Sequence, residues 1–187
     1  MEIITVESLM VPIEEYATVT EDATLYEAVK ALEKAQEELY RTGYLYLHRA
    51  VLVLDKNKKV VGKISQLDVL SALEPKYAEM GDMRAVSRAG FSPDFLKSIM
   101  ERFALCERPI KQMCKSAASR QVTEFMYTPT EAEYVEAETS LCEAIHRFVM
   151  GHHQSLLVVR NEEIVGVLRL TDVFKEVFQT MESHRIE

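Results

Sequence analysis

The chain is short of most things that would assign it a chemistry at once. Its three cysteines, Cys106, Cys114 and Cys142, are odd in number and show no CxxC spacing. That excludes a disulfide framework and a cysteine-based zinc site. All three read as structural thiols, with Cys142 beside Leu141 on an amphipathic helix. Proline and glycine number only five and six in 187 residues, while 48% of residues are hydrophobic. Such a chain buries an ordinary core and has no disordered composition. Basic residues are outnumbered, 22 Lys and Arg against 30 Asp and Glu, for a formal net charge of -8. That balance argues against a general nucleic-acid or anionic-membrane binder but leaves room for a local basic pocket. No apolar run approaches the roughly 20 residues of a membrane helix, and no basic-then-apolar leader opens the sequence, so a cytoplasmic protein without membrane association is expected. Nor is there a GxSxG, HExxH or P-loop sequence. With no nucleophile and base at a recognisable spacing, catalysis is not expected and no catalytic residue is assigned.

What is present is a repeat. Val60-Val61-Gly62-Lys63-Ile64-Ser65-Gln66-Leu67-Asp68 returns as Ile164-Val165-Gly166-Val167-Leu168-Arg169-Leu170-Thr171-Asp172. Each copy reads as an apolar strand running through a glycine into a helix with an acid in its first turn. Ser65-x-x-Asp68 is by itself a helix capping box. In the second copy the hydroxyl has moved to Thr171 while the acid keeps its register at Asp172. A ligand hydroxyl explains that persistence better than capping does.

The rest of the chain repeats as well. Val6 and Met10 return at Val122 and Met126, an offset of 116. Thr18-Val19-Thr20 is echoed by Tyr134-Val135-Glu136. Thr24-x-x-Glu27 and Ser140-x-x-Glu143 are capping boxes, followed by apolar stripes at helical spacing. Leu25, Ala28, Val29 and Leu32 form one stripe, and Leu141, Ala144, Ile145, Phe148 and Val149 the other. Val51–Leu54 then aligns with Leu156–Val159 at an offset of 105, so the first copy holds 11 more residues, within 33–48. These predict a longer solvated first helix, its Tyr44–Tyr46 end free to pack on a partner. Hairpin turns at Asp55–Lys58 and Arg160–Glu163 join the paired strands. Each half is thus a β-α-β-β-α unit, over residues 1–74 and 122–187. Residues 75–121 between them form a helical insert rather than a flexible linker. Gly90 closes one helical run, and Ser92-Pro93-Asp94 opens the next. Phe95, Leu96, Ile99, Met100 and Phe103 form its apolar stripe. A third piece restarts at Pro109 with Ile110, Met113 and Cys114 inward. The insert needs a surface to cover, on this chain or on a second copy.

His146, His152 and His153 are the candidates for a metal, but no acid or cysteine converges on them at ligand spacing, and no metal is expected.

These features together resemble a tandem pair of cystathionine β-synthase (CBS) domains, the Bateman module. The matching stretches are Leu9-Met10-Val11-Pro12, Leu25-x-Glu27-Ala28 and Gly62-x-Ile64-Ser65-x-x-Asp68, with Phe125-Met126, Leu141-x-Glu143-Ala144 and Gly166-x-Leu168-Arg169-x-x-Asp172 in the second copy. Four weak motifs in order, twice over, are specific, and they cover about two-thirds of the chain. The resemblance implies an α/β (α+β) fold of two repeats packed by pseudo-twofold symmetry, with a ligand cleft for each. It implies a regulatory module that binds an adenine nucleotide or related adenosyl ligand, requires no cofactor, pairs as a homodimer and signals to an unidentified protein. By the same carry-over, Asp68 and Asp172 accept ribose hydroxyls and Ser65 donates to a phosphate. Val11 and Pro12 enclose the base against Ala50 and Val51, and Thr18 and Thr171 complete the lining.

Arg169 departs from the Ser or Thr of the family. It is expected to hold a phosphate, because a guanidinium at a helix N-terminus is repelled by the dipole unless an anion joins it. The alternative is a plug, with Arg169 paired to Asp172, Glu162 or Glu163. A different class of function, a dimerisation or scaffold protein working through the helical insert, is also compatible with the sequence.

Overall fold

The computed structural model describes residues 3–41, 47–80, 90, 92–105 and 107–183. Two small sheets carry the fold. Strands β2 (Thr18–Thr20), β3 (Ala50–Leu54) and β4 (Val60–Ser65) form one in the order β2-β3-β4. The other contains β1 (Val11–Pro12), β5 (Tyr134–Glu136), β6 (Ser155–Arg160) and β7 (Glu163–Arg169) in the order β1-β7-β6-β5. β2 runs parallel to β3 and β5 to β6, while β3–β4, β6–β7 and β1–β7 pair antiparallel. The β-branched runs fit this pleated, buried setting. Tight turns close the hairpins: the Asp55 carboxylate accepts from the backbone N–H groups of Asn57 and Lys59, and Asn161 and Glu162 take left-handed backbone angles.

Helices α1 (Leu25–Arg41) and α2 (Gln66–Ala72) serve the first half, and α5 (Leu141–Gly151) and α6 (Leu170–Ser183) the second; α3 (Pro93–Arg102) and α4 (Ile110–Ala118) lie between. The expected β-α-β-β-α order holds in both halves. At Thr24 the capping box is complete, Glu27 N–H to Thr24 Oγ1 at 3.3 Å and Thr24 N–H to Glu27 Oε2 at 2.7 Å. At Ser140 only half of the expected box forms, Glu143 N–H to Ser140 Oγ at 3.3 Å, because the Glu143 carboxylate accepts from Arg147 instead. The first helix is the longer, 17 residues against 11. The Tyr44–Tyr46 segment, the helical run ending at Gly90 and Cys106 lie outside the described residues.

The lead-in segments exchange halves. Val6 packs into the core of the second half with Leu141, Phe148, Leu156 and Leu168. Val122 packs into the first with Leu25, Val53 and Ile64. Backbone bonds fasten each in place, Val6 N–H to Thr139 O and Val122 N–H to Ala23 O, both 2.9 Å. Between the sheets, Leu52 meets Leu157, Val11 and Val167. Each half therefore lacks part of its core without the other.

Several expected inward positions turn out to face solvent. Val29, Val149, Ile110, Cys114 and Cys142 are exposed, as are Phe95, Leu96 and Met100 of α3. The buried stripes are narrower than the apolar spacing predicts, because one sheet face accepts only a narrow strip of helix, here Leu25, Ala28 and Leu32, or Leu141, Ala144 and Phe148. No helix among the described residues is long and apolar enough to cross a membrane.

Candidate functional site

The swap of lead-in segments decides what each cleft contains. The backbone of Lys63, on β4, exchanges two 2.9 Å hydrogen bonds with Tyr127 of the second lead-in. The corresponding pairing in the other half is Val11 on Val167, Pro12 on Gly166. Ser65 and Asp68 therefore share a cleft with Tyr127–Glu133, whereas Val11 and Pro12 share one with Arg169 and Asp172. The expectation that Val11 and Pro12 enclose a base against Ala50 and Val51 is thus corrected, since Ala50 lines the other cleft and Val51 is core. Sequence alignment places a segment within its repeat but does not show which sheet it pairs with.

The first cleft is large, about 1050 Å³. It is lined by Arg49, Ala50, Lys63, Ser65 and Asp68 from one half, and by Tyr127, Glu133, the turn 151–155, Arg169 and Thr171 from the other. The second is about 270 Å³, between Ser8–Pro12 and one side of α6. Of the sequence-derived candidates, Ala50, Ser65, Asp68, Arg169 and Thr171 line the first, and Val11, Pro12, Arg169 and Asp172 the second. Thr18 sits in β2 opposite Leu52 and Val51 is core; neither lines either of these two clefts.

Asp68 is buried at the start of α2. Its Oδ2 accepts from the Ser65 N–H at 2.9 Å and the Ser65 hydroxyl at 2.6 Å, while Ser65 Oγ accepts from Asp68 N–H at 3.2 Å. The capping box is complete, so Ser65 spends its proton on Asp68 rather than presenting it to the cleft.

Lys63 and Glu133 were not among the sequence candidates. They form an ion pair across the two halves, with side chains only 15% and 5% exposed. Glu133 also accepts from Thr130 N–H at 3.2 Å and from Tyr127. Burial works to raise its pKa, but the bonds from Lys63 and Tyr127, and the lysine charge, hold it below the usual carboxylate value. The Lys63 ammonium stands 5.6 Å from the Tyr127 ring centre. At the equivalent places in the other cleft stand Val167, Ala17 and Val11. A lysine interrupting the apolar strand of one copy only was the available signal.

Arg169 is almost fully buried, and both arms of its fork bind Asp172: Nε to Oδ2 at 2.5 Å, Nη2 to Oδ1 at 2.7 Å. The expectation that it awaits a phosphate is thus overtaken by the plug. The acid three residues along the same turn supplies the anion the helix dipole requires. Its third nitrogen, Nη1, lies 3.3 Å from Nδ1 of His48. A guanidinium only donates, so Nδ1 accepts and the His48 Nε2–H donates to the Glu15 carbonyl at 3.2 Å. Tyr16 closes over this imidazole, ring centres 4.3 Å apart. Burial pushes the Tyr16 phenol up to about 12, the Arg169 charge opposing. His48 is pushed down to about 4 by burial and then by the Arg169 charge, against the Glu15 bond and Asp172. No sequence pattern marked His48.

A depressed histidine pKa has a definite consequence. Between about 4 and the ordinary 6.5 the unfolded chain binds a proton at His48 that the folded chain refuses. The stability His48 contributes is therefore complete above pH 6.5 and is lost as pH falls toward 4. With allowance for solvent relaxation we expect a loss of about 1–2 kcal/mol. Urea unfolding of wild type and His48→Gln across pH 7 to 4.5 checks this. A difference between the two that stays constant with pH would show that His48 does not titrate there.

Among the described residues no group of three His, Cys, Asp or Glu side chains could hold a metal ion. His152 and His153 instead line the large cleft, on a turn where His152 takes a left-handed conformation.

The comparisons agree with this fold. A family model, the CBS domain, matches residues 6–75 and 122–179. No curated protein matched the chain. Among solved structures, CBS-pair protein CBSX2 from Arabidopsis thaliana is 17% identical, with a TM-score of 0.61 over 97% of this chain and 99% of that one. A CBS domain-containing protein from Bacillus anthracis is 19% identical, TM-score 0.61, over 94% of each. A structure of CBSX2 in complex with AMP is 17% identical, TM-score 0.53, over 95% of this chain and 98% of that one. At such identities the structural likeness speaks for the fold, and the family match speaks for membership. Matched in both halves by one family, the chain belongs to the CBS-domain proteins and carries a tandem CBS pair.

Proposed function

We propose that this CBS pair is a non-catalytic regulatory module that binds an adenine nucleotide in its large cleft and passes occupancy to a partner protein. The observation that carries this is the cleft itself. About 1050 Å³ of space opens where the Ser65–Asp68 turn of one half faces the Tyr127–Glu133 segment of the other. Concave sites of this size, with a few convergent polar groups, are where small molecules bind. The AMP complex of CBSX2, a protein of the same fold, is consistent with such a ligand. Because the cleft walls come from both halves, a ligand that bridges them changes how firmly the halves are held, which is the form a signal would take.

The apolar faces favour a second component of the reading, self-association. Phe174, Phe178 and Met181 on α6 and Phe95, Leu96 and Met100 on α3 are exposed. The proposed working form is a homodimer, and a scaffold role is what remains if the cleft proves empty of ligands.

Calorimetric titration with AMP, ADP and ATP tests the proposal. Asp68→Ala is expected to weaken binding by about 1–3 kcal/mol, the range for a hydrogen bond to a charged acceptor. Unchanged affinity in a folded variant would leave Asp68 as a cap alone. Light scattering on the same preparation is expected to give twice the 21.4 kDa chain mass. A monomer mass would sink the dimer.

A further inference from the structure

Four polar side chains in the wall of the large cleft are buried: Tyr16, Asp68, Glu133 and Arg169. Three of them are answered from within the chain. Asp68 accepts from Ser65, Glu133 from Lys63 and the Thr130 N–H, and Arg169 is forked onto Asp172. Tyr16 is 7% exposed, and its hydroxyl has no hydrogen-bond partner among the described residues. A buried phenol normally finds one. No side-chain nitrogen or oxygen among the described residues is both sealed off and unpaired. The Tyr16 hydroxyl therefore reaches open space, and of the two clefts Tyr16 borders the large one alone.

Its neighbours fix its place in the sheet. Thr18 pairs with Leu52 and Ala50 with Ser65, so Tyr16, extended and two residues before Thr18, lies alongside Ala50. Strands sit about 4.8 Å apart, so Tyr16, Ala50 and Ser65 make a row roughly 10 Å long. The Ser65–Asp68 turn stands at one end of that row and the phenol at the other. The phenol end is apolar: Tyr16 packs with Val11, Leu52, Leu157 and Val167 between the sheets, and against the His48 ring. A phosphate there would lose its water with no unanswered cation to meet it, since Arg169 is already paired with Asp172. A planar base with neutral ring nitrogens enters without that cost. Burial keeps the phenol protonated, and so a donor, at working pH.

We propose that the Tyr16 hydroxyl is the base-recognising donor of the large cleft, holding a ring nitrogen of the adenine while the ribose lies toward Asp68. This rests on the adenine-nucleotide reading above and adds the contact that orients the ligand. The pseudo-equivalent of Tyr16 is Ala132, at the offset of 116 that relates Val6 to Val122, and Ala132 lines the same cleft. The donor is thus present once, so a base is held in one of the two orientations the pseudo-twofold arrangement would otherwise offer.

Tyr16→Phe removes the hydroxyl and keeps the ring. AMP and its 1-deaza, 3-deaza and 7-deaza analogues, each lacking one ring nitrogen, are titrated calorimetrically against wild type and this variant. AMP is expected to bind Tyr16→Phe about three- to tenfold more weakly, the worth of one hydrogen bond between neutral groups. One of the three analogues should bind wild type more weakly by the same factor and lose nothing further in the variant. The variant should melt no lower than wild type, because the deleted hydroxyl leaves no partner behind. A purely structural tyrosine would instead lower the melting temperature and leave AMP affinity unmoved. AMP binding unchanged in Tyr16→Phe would overturn the inference and leave the adenine reading intact. Equal loss for AMP and all three analogues would overturn it too, placing the hydroxyl on the ribose or phosphate. The wild-type series stands without the variant: three analogues binding as tightly as AMP would sink the base contact. Failure of AMP to bind wild type at all would remove both readings.

Discussion

Arg169→Ser should lower the free energy of unfolding by about 3–5 kcal/mol, the cost of leaving one partner of a buried pair alone. The arginine side chain is 5% exposed and its partner Asp172 16%. Removing the guanidinium strands a carboxylate in a place chosen for its neutralised form, and strands the His48 Nδ1 that faced the same group. The double variant Arg169→Met with Asp172→Leu should recover most of the loss, because it removes both charges rather than one. Urea midpoints at pH 7.5, where His48 is neutral in both folded and unfolded chains, measure these effects without interference from its titration. A loss under about 1 kcal/mol would mean that Asp172 is better solvated than its burial implies. The same substitution restores the serine of the family pattern and frees Asp172. Nucleotide titration is then expected to change from one binding event per chain to two. A single event in folded Arg169→Ser would show that the 270 Å³ cleft is closed by more than the arginine.

Gly166→Val should cost about 3 kcal/mol or more, at the upper end of overpacking penalties. A Cβ on Gly166 would stand 2.6 Å from the Val11 carbonyl oxygen, a backbone atom that cannot step aside without breaking the β1–β7 pairing. The pseudo-equivalent Gly62 gives the contrasting case. There a Cβ meets Met126 Sδ at 2.6 Å, the end of a flexible side chain. Gly62→Ala should therefore cost only about 1 kcal/mol as the thioether swings away. The pair of variants asks whether the lead-in segments are rigid parts of the opposite sheet. Equal losses at the two glycines would show that the backbone contact of β1 gives as easily as the methionine does.

Much of this protein could be read before any coordinates. The doubled strand-glycine-strand-helix pattern, the helix caps at Thr24 and Ser140 and the longer first helix are local features. Hydrogen bonds between residues three or four apart, and alternation along a strand, depend only on neighbours in the chain. They survive intact, and they carry the family and the fold with them. Ser65 and Asp68 were legible for the same reason, because their geometry lies within one turn.

Only the tertiary structure decided what faces what. The sequence shows Val11-Pro12 and Tyr127 to be equivalent, but not that each pairs with the other half's sheet. That exchange moved Val11 and Pro12 into the small cleft and brought Glu133 to Lys63, 70 residues away. It was equally silent on His48, which earns its place through Arg169, 121 residues distant. Whether Arg169 awaits a phosphate or consumes Asp172 could not be chosen from composition, since the same dipole argument permits either anion. Long-range pairings cost loop entropy and are repaid only by the whole packed interface, so no short stretch of sequence records them. The chain by itself determined two CBS repeats, each with its acid; the packing of one repeat on the other made one cleft large and the other small.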